Sequence, residues 1–134
     1  MAAFYSAVEF IPEAPKTSLY GKIRHRLFDG ASFIQRYRNP QYLKDSQEKI
    51  KRLLDKHKVT HTHVAHFHSA EMIPPSLASD SVSIHVTDDP SLLCQRDANL
   101  SKSRRKATAL KKEAKAAIRE VKYLFNKGYR LFVV

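Results

Sequence analysis

Four of the chain's seven histidines lie in the eight-residue stretch HTHVAHFH, from His61 to His68. Imidazole nitrogens are common ligands of Zn²⁺ and also suit Mn²⁺, so this density of histidine raises the question of a metal site. Side chains two residues apart on a β-strand point to the same face, which would place His66 beside His68. His85, in the next predicted strand, would be a third ligand. We predict a row of surface histidines on a polar strand face; the alternative is a site for Zn²⁺ or Mn²⁺ at His66, His68 and His85.

Two short motifs suggest a catalytic use for such a site. His66-Phe67-His68 resembles the metal-binding motif of the HUH single-strand endonucleases, which nick DNA with a tyrosine carried on a helix. The segment Tyr123–Lys127 (YLFNK) is similar to the Tyr-x-x-x-Lys motif of that family. The resemblance implies that the two histidines hold a divalent ion, that Tyr123 attacks the phosphorus and that Lys127 assists by position and charge. It is confined to these two motifs.

The net charge favours a different kind of partner chemistry. The chain has 24 lysines and arginines against 13 aspartates and glutamates, a formal charge of +11. The excess lies in residues 16–58 and 102–134, which flank a net acidic middle. Such fields attract polyanions, most often nucleic acid and sometimes an acidic protein. A basic protein with no specific partner is the alternative.

The basic residues near the C-terminus follow a helical period. Residues 100–127 are predicted to form an amphipathic helix whose apolar stripe is Ala107, Leu110, Ala114, Ala117, Ile118, Val121, Leu124 and Phe125. The opposite face carries Arg104, Lys111, Lys112, Lys115, Arg119 and Lys122, with Tyr123 beside them. Lysines and arginines along a helix can contact successive phosphates, and an exposed tyrosine can stack on an unpaired base. Only Glu113 and Glu120 interrupt this run, which favours binding over a face adapted only for solubility.

A second candidate surface lies nearer the N-terminus. Four arginines are interleaved there with aromatic residues, an arrangement that could contact phosphates and stack on bases. The set comprises Arg24, Arg26, Arg36 and Arg38 with Tyr20, Phe33 and Tyr37. Packing of these aromatics in the core is the alternative.

The elements that would position these residues indicate a small α+β fold. We expect residues 1–134 to form one domain: an antiparallel sheet of three or four strands packed against two main amphipathic helices, at 41–58 and 100–127. The strands are predicted at Phe4–Ile11, Val59–Ser69, Ser81–Thr87 and Tyr129–Val134. Gly128 stands where a glycine would end the last helix.

Composition excludes several classes of protein. The single cysteine, Cys94, rules out an intramolecular disulfide and a four-cysteine zinc module, and it favours a reducing, intracellular compartment such as the cytoplasm or a host cell interior. No apolar run has the length of a membrane span. We therefore expect a soluble protein that binds RNA or single-stranded DNA without catalysis or cofactor, as a ribonucleoprotein component or a viral or plasmid accessory factor. The alternatives are the metal-dependent endonuclease and an adaptor for an acidic protein.

Overall fold

A computed structural model describes residues 10–28, 34–86 and 90–133. Most of these residues are helical. Three α-helices precede the first strand, and two more lie between the second and third strands. In chain order the elements are α1 (Leu19–Leu27), α2 (Gln35–Arg38), α3 (Pro40–Lys56), β1 (Thr62–Val64), 3₁₀ segments at Phe67–Met72 and Ser79–Ser81, β2 (Val82–Val86), α4 (Pro90–Leu100), α5 (Arg104–Asn126) and β3 (Arg130–Val133).

The strands of the described residues form one parallel sheet in the order β1-β2-β3. Val64 pairs with Ile84, and Ile84 pairs with Leu131 on its other side. The predicted antiparallel sheet is therefore wrong. Its strands are joined by long connections, through 3₁₀ segments between β1 and β2 and through two helices between β2 and β3, and such crossovers bring the chain back in the same direction.

The strand predicted for Val59–Ser69 is much shorter than expected. β1 covers only Thr62–Val64, and the chain then turns into the 3₁₀ segment. Phe67, Ala70 and Ile73 recur every third residue, the period of a 3₁₀ helix, and all three are buried in the core. Burial of this apolar row explains why the extended conformation ends at His66, immediately before the 3₁₀ segment.

The other strand predictions have different outcomes. β2 and β3 lie within the strands predicted at Ser81–Thr87 and Tyr129–Val134, although Thr87 and Val134 are outside the described residues. The strand predicted for Phe4–Ile11 falls mainly on residues 1–9, also outside them, and Phe10 and Ile11 are not in a strand.

The main core lies on one face of the sheet. Val82, Ile84 and Val86 of β2 are buried there with Leu124 of α5, and Val64 packs against them. The sequence predicted that these three β2 side chains face the same way, but the strand is not half-buried as expected, because Ser83 is also buried and His85 is partly buried. The core therefore fixes α5 across the sheet.

The two predicted helices exist with nearly the expected bounds. α3 begins with Pro40 at its first turn, a position that needs no backbone donor. α5 begins after Ser103, whose hydroxyl accepts from the backbone N–H of Lys106, and Gly128 follows its end with φ of 80°. A further helix, α4, packs along α5 and was not predicted from the sequence. None of the helices in the described part of the chain has both the length and the apolar character needed to cross a membrane.

Candidate nucleic-acid interface

The basic face predicted for α5 is exposed along its whole length. Its six members are Arg104, Lys111, Lys112, Lys115, Arg119 and Lys122, and the side chain of each is exposed to solvent. Arg104, Lys111, Lys115 and Lys122 form no ion pair with a carboxylate of the described residues. These four side chains therefore present positive charge that no carboxylate of the described residues neutralises by direct pairing.

The buried side of α5 is rotated relative to the prediction. Ala114, Ala117 and Leu124 are buried as expected, but Ile118 and Phe125 are 39% and 68% exposed. The opposite edge of the stripe is buried instead, at Ala116 and Glu120. Ala116 packs with Ile34 just before α2, so contact with the segment around α2 turns this edge inward.

Glu120 is buried because Arg36 pairs with it. The two guanidinium nitrogens of Arg36 donate to the two carboxylate oxygens of Glu120, which is 3% exposed. The Arg36 Nη1 also lies 3.3 Å from Oε1 of Glu71, whose side chain is 5% exposed. Burial lowers the pKa of Arg36, but its hydrogen bonds to Glu120 and Tyr37 outweigh that effect and raise it overall. Arg36, predicted to contact phosphate, is thus engaged inside the protein.

Tyr123 lies between this cluster and the basic face. Its side chain is 45% exposed, and the guanidinium of Arg36 and the ammonium of Lys127 each lie 5.2 Å from its ring centroid. A hydrogen bond with Tyr123 raises the pKa of Lys127. The predicted pair Tyr123 and Lys127 is therefore in contact, but two of the protein's own cations already occupy positions around the tyrosine ring.

A small cavity of about 110 Å³ opens beside the cluster. Its lining includes Arg36, Glu71, Glu120, Tyr123, Lys127 and Tyr129. Glu71 Oε2 accepts from the backbone N–H of Gln35, whereas its buried Oε1 accepts no hydrogen bond within the described residues. Burial raises the pKa of Glu71, so this carboxyl group takes up a proton more readily than an exposed glutamate.

The second arginine-rich surface is only partly formed. Arg26 is exposed, while Arg24 and Arg38 are half-buried. Tyr37 stacks on Phe28, with ring centroids 5.0 Å apart and planes inclined by 8°. Tyr20 is exposed, and Phe33 lies outside the described residues.

His66, His68 and His85 are not arranged as the alternative metal site requires. His66 precedes the 3₁₀ segment and His68 lies within it, so they do not share a strand face. His85 lies instead near His63, with ring centroids 5.9 Å apart. Both His61 and His63 form hydrogen bonds with the hydroxyl of Ser83. Within the described ranges, no three histidine, cysteine or acidic side chains are arranged to hold a metal ion.

Two titratable groups near the middle of α5 have shifted pKa values. Burial lowers the pKa of His68, with Glu113 opposing and His66 reinforcing the shift. Burial also raises the pKa of the Cys94 thiol on α4, and the nearby carboxylates of Glu113 and Asp97 add to it. A raised thiol pKa disfavours the reactive thiolate, as expected for a cysteine without a catalytic role.

In comparisons with protein-family models, curated proteins and solved structures, no match to the chain was found. The site is therefore defined by its own geometry.

Glu71 and Glu120 were not predicted from the sequence as components of this region. Glu120 carries a signal in hindsight, because it lies three and four residues from Ala117, Ala116 and Leu124, all buried. A carboxylate inside an apolar stripe requires a partner when the helix packs. Glu71 has no comparable local pattern.

Proposed function

We propose that the protein binds nucleic acid, RNA or single-stranded DNA, without catalysis, along the basic face of α5. The exposed row of like charges on one rigid helix carries this proposal. Binding would release counterions from the phosphates that the lysines and arginines contact, which favours association at moderate salt.

The geometry supports binding more directly than nuclease chemistry. The endonuclease alternative needs His66 and His68 side by side on one strand as metal ligands. His66 instead precedes the 3₁₀ segment and His68 lies within it, so the two do not share a strand face. The pair Tyr123 and Lys127 is present, but the guanidinium of Arg36, which pairs with the two buried carboxylates, lies over the tyrosine ring. Non-catalytic binding requires only the exposed cations.

Charge reversal on α5 tests the proposal. Lys115 and Lys122 are exposed, two turns apart on the basic face, and without an ionic partner among the described residues. We expect Lys115→Glu with Lys122→Glu to weaken binding of a fluorescent 20-nucleotide single strand by more than about tenfold, measured by anisotropy at fixed salt.

Lys44→Glu with Lys51→Glu is the matched control. These lysines have the same seven-residue spacing, lie exposed on α3, and their reversal changes the net charge equally. The control should lose much less affinity. Equal losses in the two double variants would assign binding to overall charge, and an unaffected α5 variant would reject the basic face. If an acidic protein or polyglutamate binds as tightly as the oligonucleotide, the adaptor alternative replaces the proposal.

A further inference from the structure

The exposed side of α5 is not purely cationic. Lys111, Lys115, Ile118, Lys122 and Phe125 follow one another at three- and four-residue intervals, and all five are exposed. Residues at these spacings are neighbours on a helix. They form one continuous strip, called here the mixed strip, which consists of three lysines and two apolar side chains.

Phe125 is the more exposed of the two apolar side chains in this strip. It is 68% exposed, against 45% for Tyr123, whose ring contacts Arg36 and Lys127. An aromatic ring available to solvent beside a lysine is the element that base stacking requires. Lys122, three residues before Phe125, would meet a phosphate next to the stacked base.

We infer that the mixed strip binds single-stranded nucleic acid with an unpaired base stacked on Phe125. This inference rests on the proposed nucleic-acid binding and adds a base-contacting residue to it. Lys111, Lys115 and Lys122 contact phosphates, and Ile118 contacts sugar or base edges between them. A duplex can meet the lysines but keeps its base faces stacked internally, so it gains nothing from Phe125.

The strip fits a nucleic acid better than a membrane surface. A helix that lies in a lipid interface buries a broad apolar face. The broad apolar face of α5 is buried against the sheet and α4, and only Ile118 and Phe125 remain outside it. Ile118 and Phe125 lie at one edge of the cationic face. This is enough apolar surface to contact a base while the lysines contact the flanking phosphates.

The substitution Phe125→Trp gives a direct readout, because the chain has no tryptophan of its own. We expect the emission of Phe125→Trp to be quenched by a single-stranded 20-mer and to change little with a duplex of the same length and salt. Phe132→Trp, on β3, is the control: Phe132 is also exposed but lies outside the strip, so the emission of that variant should not respond.

Affinity provides the second measurement. Phe125→Ala should weaken single-strand binding roughly 5- to 150-fold, the range expected for one stacked base, and leave duplex binding unchanged. Phe125→Tyr should retain most of the affinity. Since the side chain is mainly exposed, thermal melting of both variants should match the original chain.

The outcomes separate this inference from the proposed function. Suppose that binding is salt-dependent and sensitive to Lys115→Glu with Lys122→Glu, but that Phe125→Ala has no effect or a duplex quenches the Phe125→Trp variant equally. The stacking inference is then wrong, and nucleic-acid binding stands. If no oligonucleotide binds, both fail. A blue shift of the Phe125→Trp emission with phosphatidylserine vesicles and none with oligonucleotide would assign the strip to a membrane surface.

Discussion

Arg36 holds the segment around α2 against α5. Its guanidinium faces two buried carboxylates, those of Glu71 and Glu120, and also lies over the ring of Tyr123. Removing one partner from a buried ion pair leaves a charge that neither water nor protein solvates. Arg36 therefore helps to fix the position of Tyr123 and, together with the packing of Ile34 on Ala116, the rotation of α5.

We predict that Arg36→Ala lowers the free energy of unfolding by about 3 to 5 kcal/mol, because Glu120 stays buried without its partner. Arg52→Ala is the control, because Arg52 forms an exposed ion pair with Glu48 on the same helix, with 4.0 Å between Nη2 and Oε2. It should cost about 0 to 1 kcal/mol. Urea denaturation measures both values, and similar small losses would show that the Arg36 cluster is not a stabilising contact.

Glu71 gives this cluster a dependence on pH. Burial raises the pKa of Glu71, so the folded protein holds the proton more tightly than the unfolded chain does. Its contribution to stability is complete below the ordinary glutamate pKa of about 4.3 and is lost as the pH rises through the folded-state pKa.

We therefore expect the stability of the original chain relative to Glu71→Gln to fall as the pH rises from about 4 to about 7. Urea titrations across this range give the difference at each pH. Glu48→Gln, on the exposed side of α3, is the control and should show a much flatter difference. A relative stability that increases with pH would contradict the direction of the Glu71 shift.

At the scale of elements, α5 shows what local sequence determines. Its periodicity predicted the helix and all six exposed cations, since both depend on residues within a few turns. It misassigned Ile118 and Phe125, because the partner that draws Glu120 inward, Arg36, is 84 residues away in the chain. The direction of the strands was also missed, since it depends on the connections between them.

The end of α5 allows a test of its backbone geometry. Gly128 has φ of 80°, and a Cβ there would lie 3.2 Å from Oγ of Ser79. We predict that Gly128→Ala destabilises the protein by about 1 to 2 kcal/mol, because other residues rarely adopt this left-handed conformation. Gly128→Asn should lose less, since asparagine tolerates it better. Equal stability of the original chain and Gly128→Ala in thermal melts would contradict the C-terminal cap described here.

At the scale of the whole molecule, the residues that form the core and the cations proposed to bind nucleic acid lie on opposite sides of α5. The small sheet, the 3₁₀ segment at Phe67–Met72 and the buried side of α5 supply the main core, while the exposed side of α5 carries cations toward solvent. The net charge of +11 was evident from composition, but the alignment of six of the cations on one exposed face of α5 depends on the fold. The proposed binding requires that alignment, which a high net charge alone does not provide.

The salt dependence of binding tests the central claim most directly. If the cations of α5 contact several phosphates of a single strand, the logarithm of the association constant should fall linearly with the logarithm of salt concentration, by about 0.7 per contact. We predict a slope of about −3 or steeper for the original chain, and a slope about 1.4 shallower for Lys115→Glu with Lys122→Glu. A slope near zero, or one that this double variant leaves unchanged, would contradict the claim that α5 is the nucleic-acid-binding surface.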